Sequence, residues 1–410
     1  MKQTRTAACR RTAAACLLIL AAFFLTGCWD RRELSEISII LGIGIDRTPE
    51  GEIKVTVQVA KPQDLAVSTQ AGAGGGGGKK PTLVLSATGK TISDAMSRLE
   101  PALPRRPYFG HAIAVIFGQA AAKHGVTEYT NFISRTKDAR ETMWVAVTSG
   151  EAADILKAHS EMEKSSMHSL GHQALIKGGF KANFHEFLSA LAAGESSPVA
   201  SRVELVRQGV PVGPGVEKEP EEKHDEVAIT GFAAFRGDRL AGCLEEREST
   251  GLLWLREGIQ GGTITVPSPS EPAAYLSIHL NHGKAKVEPF YRDGTISFRV
   301  RIDAEGELFE QQDHANFLHP EALSALNAAA ADEIKRIVSA ALAKAQQDLR
   351  IDVMRFGESF HQKYKEAWRT LKADWNNSVA DAPVSISVHF HVRRTGLQGG
   401  RAAAKKQESR

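Results

Sequence analysis

The run Ile37-Ser38-Ile39-Ile40-Leu41-Gly42-Ile43-Gly44-Ile45 passes through Asp46-Arg47-Thr48-Pro49-Glu50-Gly51-Glu52 into Ile53-Lys54-Val55-Thr56-Val57-Gln58-Val59. This stretch decides how the chain folds. Its first part is apolar almost without interruption, as in a buried strand. Its last part alternates apolar and polar positions, the pattern of a half-buried strand. Pro49 and Gly51 mark a turn between them, so the two parts make a hairpin. Gly42 and Gly44 are no dinucleotide fingerprint, because no helix opens behind them. Close approach of another element to the strand accounts for both glycines.

On the N-terminal side, Lys2, Arg5, Arg10 and Arg11 precede an apolar run from Thr12 to Thr26, and the first acid is Asp30. That is the layout of a secretory signal peptide, here residues 1–27. The run has 15 residues, short of the roughly 17–25 that a spanning helix needs. It closes on Leu25-Thr26-Gly27-Cys28, which reads as a lipobox. Small residues admit a peptidase that cuts between Gly27 and Cys28. The Cys28 thiol is the nucleophile that takes an S-diacylglyceryl group, and the new N-terminus is then N-acylated. One acyl chain binds a bilayer marginally, whereas two anchor stably. Cys9 and Cys16 leave with the signal, so Cys243 has no partner for an intramolecular disulfide.

On the C-terminal side, the Gly74–Gly78 run reads as a flexible loop. It fails as a phosphate loop, since Ala73 stands where the first glycine is needed and Lys80 follows Lys79 in place of Ser or Thr. Strands are expected at Thr82–Thr88, Ala112–Phe117 and Glu141–Thr148. Helices are expected at Thr91–Glu100, Val126–Ser134, Glu151–Ala158, Ser166–Lys177 and Asn183–Ala193. Residues 208–225, rich in Pro, Gly and charge, read as a linker. Beyond it come a hairpin over Val227–Leu244, a short helix at Thr250–Glu257, and strands at Thr263–Val266, Tyr275–Asn281, Ala285–Phe290 and Thr295–Ile302. A long helix opens at Pro320, a residue suited to the first turn. A second helical stretch carries Phe356, Phe360, Tyr364 and Trp368, and a last strand spans Pro383–Arg394. The fold class is therefore α+β, multidomain, with mixed and antiparallel sheets and packed helices. Its parts are an N-terminal α+β portion at 28–207, the linker at 208–225, a C-terminal α+β domain at 226–395 and a disordered basic tail at 396–410.

No constellation for catalysis stands out. His168 and His172 lie i, i+4 on a helix, but no HExxH pattern goes with them. His389 and His391 share one face of the last strand, where exposed or interface histidines are the ordinary case. Cys243 sits inside a strand as a small buried hydrophobe. No GxSxG elbow occurs, and the aromatic stripe Phe356–Trp368 reads as core. Neither a metal nor a cofactor is expected.

Several segments nevertheless occur in a specific order. They are the lipobox cysteine with Cys28-Trp29-Asp30-Arg31-Arg32-Glu33-Leu34, then Leu41–Asp46, then Pro104-Arg105-Arg106-Pro107-Tyr108-Phe109-Gly110-His111. Next come Ile229–Phe235, Thr250-Gly251-Leu252-Leu253-Trp254-Leu255, Asp352-Val353-Met354-Arg355-Phe356-Gly357, Trp368, Trp375 and Val388–Gly396. In this the chain resembles the Ger(x)C family, the C subunit of spore germinant receptors, over nearly all of its mature length. The resemblance implies a lipoprotein on the outer face of the spore inner membrane, assembled with a polytopic A subunit and an integral B subunit. It implies a part in triggering germination by nutrients, with no catalytic residues. Only Cys28 carries over as a functional position. Trp29, Asp30 and Glu33 match the family motif and are expected to dock the chain start onto its own domain.

Two rival readings are a solute-binding lipoprotein of a transporter and a cell-wall hydrolase. The first calls for two lobes of repeated βαβ units, whereas the second half here has strands followed by helices. The second calls for a carboxylate pair or metal site that the sequence does not display. Composition excludes a disordered chain or a polytopic membrane protein, with 42% hydrophobic and 24% charged residues. The net charge of +3 does not point to nucleic acid. Four of the basic residues belong to the signal, and the tail from Arg393 holds six basic residues against one acid. The body between Cys28 and Val392 is about −6.

Overall fold

The structure is a computed structural model that describes residues 33–62, 81–158, 160, 162–176, 182–207 and 225–394. Strand β1 (Ile37–Arg47) is an interior strand of a nine-stranded mixed sheet, third from one edge. On one side it pairs antiparallel with β2 (Ile53–Ala60), which pairs with β3 (Thr82–Gly89). On the other side it runs parallel to the short β4 (Arg106–Tyr108) at its beginning and to β5 (Ala114–Gly118) further on. The sheet continues through β6 (Trp144–Thr148), β7 (Val199–Arg207), β8 (Asp225–Arg236) and β9 (Arg239–Leu244).

Helices cover both faces of the central strands, which is why β1 and β5 are apolar throughout. On one face α1 (Ile92–Leu99), α3 (Thr127–Arg135) and α6 (Phe184–Ala193) contribute to a core around Ile43, Val57, Phe117 and Phe187. On the other face α4 (Ala152–Lys157) and α5 (Ser166–Ile176) pack over Leu41, Ile116 and Ala146. Between these helices in the chain lies α2 (Gln119–His124). Both glycines of β1 serve this packing. A Cβ on Gly44 would come within 3.1 Å of the Ala152 methyl, and one on Gly42 would run into the Met167 thioether. Asp46, the next residue but one, is buried and caps α4 by accepting from the Ala152 and Ala153 amides at 2.7 and 3.1 Å. Burial pushes its carboxyl above the ordinary range.

A second sheet has the order β10 (Thr263–Pro267), β11 (Tyr275–Arg292), β12 (Thr295–Gln311), β13 (Val384–Arg394). Its first two pairings are antiparallel and the last is parallel. Helix α7 (Glu246–Arg256) and the 24-residue α8 (Pro320–Ala343) pack on its inner face. So do the short helices α9 (Phe356–Lys363), α10 (Lys365–Leu371) and α11 (Trp375–Ala380). Among the described residues no helix is long and apolar enough to cross a membrane.

The structure departs from the sequence-based expectations in several places. Strand β2 is buried on both faces, because Gln58 donates to the Leu156 carbonyl and the Ser166 hydroxyl beneath α4 and α5. The strands expected at Tyr275–Asn281 and Ala285–Phe290 are one continuous strand, with a register shift at Leu280/His282 absorbing the polar break. Of the two long helices expected after the strands, the second is broken at Tyr364 and Lys372 into three short ones. The division expected at 208–225 does not coincide with the division between sheets. Hairpin β8–β9 follows that stretch, yet it extends the first sheet by pairing with β7. Residues 208–224, the Gly74–Gly78 run and the tail from 395 lie outside the described residues.

Candidate functional site: a buried junction and the chain start

The segment Ile351-Asp352-Val353-Met354 enters the apolar core of the second sheet, and an acid there needs partners. Asp352 is fully buried and has four. Its Oδ1 accepts from the Met354 and Phe356 amides, both at 3.1 Å. Its Oδ2 accepts from the Gly357 amide at 2.6 Å and from Trp375 Nε1 at 2.9 Å. Burial pushes the carboxyl above the ordinary range, and these donors pull against that shift. The Asp352 carbonyl accepts from the Ser197 amide at 2.7 Å, just before β7 of the first sheet.

Around this carboxylate the two halves of the chain are tied together. Ser196 Oγ donates to Glu358 at 2.9 Å, and His361 Nδ1 lies 2.7 Å from Glu195 while its ring stacks on Trp368. Arg355, held in the left-handed region at φ 62°, lies between Glu186, Glu257 and Glu358 at 3.6–3.9 Å. Arg256 donates to the Val353 carbonyl at 3.2 Å, and burial, with Arg355 beside it, lowers its guanidinium to about 10. Gly357 is required by contact: a Cβ there would meet the Glu195 carbonyl and come 2.8 Å from Trp375 Nε1. Gly357→Ala is expected to cost ~1–3 kcal/mol by overpacking. Thermal denaturation checks this, and an unchanged midpoint would mean that residues 194–198 give way freely. This arrangement makes the position of β7 depend on the helices of the second sheet.

The residues singled out in the sequence are dispersed. Gly27, Cys28, Trp29 and Asp30 lie outside the described residues. Glu33 is exposed and accepts from Ser35 Oγ at 3.4 Å. His168 faces the Ser165 hydroxyl and His172 faces Glu163, so the pair is divided between two partners. Among the described residues no group of three His, Cys, Asp or Glu side chains is placed to hold a metal. His389 and His391 are exposed on β13, opposite Asp303 and Glu305 of β12. Cys243 is half-buried in β9, and burial pushes its thiol up. Phe356, Phe360 and Trp368 are core, as their spacing predicted. The role of Asp352 was missed, although an acid between Ile351 and Val353, with Gly357 and a tryptophan downstream, is a signal for it.

Comparison with known proteins gives two family matches and several full-length relatives. Residues 30–205 match a model described as spore germination protein N-terminal domain, and residues 230–396 match one described as spore germination B3/GerAC like, C-terminal. Spore germination protein KC of Bacillus subtilis (strain 168) is 28% identical over 401 residues, 95% of this chain and 97% of that protein. Spore germination protein B3 of the same organism is 23% identical over 92% of this chain and 96% of its own length. The crystal structure of the GerBC protein superposes with a TM-score of 0.51 at 16% identity, covering 86% of this chain and 97% of that one. That last likeness bears on the fold alone, which in this chain is mixed α+β with two sheets.

Proposed function

The chain belongs to the Ger(x)C family of spore germination proteins, and on that premise we propose that it is the lipid-anchored C subunit of a nutrient germinant receptor. A part in spore germination follows from the family itself. The finer reading is that the subunit is non-catalytic. It sits on the outer face of the spore inner membrane through acylated Cys28, beside A and B membrane subunits. There it holds the complex together or relays a conformational change. The observation that carries this reading is the extent of the likeness, which runs from residue 30 to residue 396 through both halves of the chain. The lipobox Leu25-Thr26-Gly27-Cys28 supports the anchor, because it supplies a thiol and small residues at the end of a short apolar run. The interlock at Asp352 supports a relay, since it couples the two sheets through buried hydrogen bonds rather than a loose linker.

Cys28→Ala in the full chain tests the proposal. The variant is expected to take up no acyl label, to leave the spore membrane fraction and to abolish most of the response to nutrients. Normal germination with the variant still on the membrane would refute the anchored subunit.

A further inference from the structure

We propose that the end of the nine-stranded sheet at which β1 begins rests on anionic lipid headgroups, with Arg105 and Arg106 as the contact residues. This rests on the reading of Cys28 as the lipid anchor. Arg106 is in register with Ile37, and Ser38 Oγ donates to the Arg105 carbonyl at 3.1 Å. The arginines therefore stand beside the first residues of β1. Arg106 opens β4 and is held extended by Pro107 after it, while Pro104 fixes the backbone just before Arg105, so the segment needs little ordering on contact. Both arginines are exposed, and among the described residues neither has an ion-pair partner.

Reach is the second argument. Cys28 is five residues before Glu33, a tether of at most ~17 Å when fully extended. An acylated Cys28 thus keeps this end of the sheet close to the bilayer surface, where charges act over roughly 8 Å. Arg31 and Arg32 belong to the tether in sequence, outside the described residues. Glu33 and Glu36, just before β1, share that end. The arginines prevail at the surface because their long stems carry a planar guanidinium further out, and it binds phosphate in two-point fashion.

The test uses the chain produced without residues 1–28, titrated with vesicles of phosphatidylglycerol and phosphatidylcholine, and the acylated chain on the same vesicles for hydrogen exchange. On anionic vesicles the Arg105→Gln/Arg106→Gln variant is expected to need about thirtyfold more lipid for half-binding, roughly fivefold per arginine. In the acylated chain, exchange over 103–112 should slow on anionic but not on neutral vesicles. Equal binding of the variant, no binding of the parent, or equal protection on neutral vesicles would overturn the proposal. So would protection confined to the exposed apolar residues Tyr275, Phe309 and Leu318, or appearing over 103–112 only when the membrane subunits are present. The intact mass reports acylation separately, so an unacylated Cys28 would refute the anchor without touching the vesicle titration.

Discussion

Asp352→Ala is expected to lower the unfolding free energy by about 4 kcal/mol or more. The substitution strands the amides of Met354, Phe356 and Gly357 and the indole N–H of Trp375. Each buried donor left unpaired costs ~1–3 kcal/mol. Against this stands the cost of burying the carboxylate itself, which alanine relieves. The four donors win because that cost is already reduced by the bonds they make. Asp352→Asn separates the terms. It keeps an oxygen for Met354 and Phe356 but turns an NH2 group toward Gly357 and Trp375, which are donors themselves. A loss of about half that of alanine is expected. Since the Asp352 carboxyl is raised by burial, its contribution is fully present in acid and is lost as pH rises through the raised value. The advantage of the parent over Asp352→Asn should therefore shrink from acid toward neutral pH. Urea denaturation across pH measures all three. A loss under ~1 kcal/mol for the alanine variant would show that Asp352 is not the tie described.

Trp254→Ala is expected to cost ~3–5 kcal/mol, the range for deleting a large core ring. Trp254 on α7 is fully buried, and its six-membered ring lies against Gly283 of β11, where any Cβ would collide with it. The indole therefore fixes the distance between helix and sheet. Among the described residues its Nε1 has no hydrogen-bond partner, so the stabilisation they give it is packing. Trp254→Phe should accordingly cost less than ~2 kcal/mol, because it removes an unsatisfied donor together with part of the ring. Denaturant midpoints for the two variants decide this. If phenylalanine proved as damaging as alanine, the unpaired indole would have a partner that contributes.

The hairpin β1–β2 and its two glycines were legible because a doubly buried strand has no room for polar residues. Helices α1, α6 and α8 were legible from their apolar stripes. Strand β7 was not, since Ser201, Arg202 and Glu204 interrupt its apolar positions. Those charges are satisfied across the sheet: Arg202 pairs with Glu204 and Glu245, and Ser149 donates to Glu204. The three-residue β4 was too short to leave a pattern, although it is what sets Arg105 and Arg106 beside the chain start.

By itself the sequence determined the order of motifs that marks the family, the α+β class and the residues that fill the cores. The elements and core positions are read from local patterns of period, charge and spacing, each complete within a few turns of chain. Only the tertiary structure decided that β8 and β9 extend the first sheet across residues 208–224. It alone decided that Asp352 binds donors up to 23 residues away and that Ser197 closes on it from the other half. Pairing partners and buried hydrogen bonds join residues distant in the chain, and their cost or gain exists only once folding has taken water away from both.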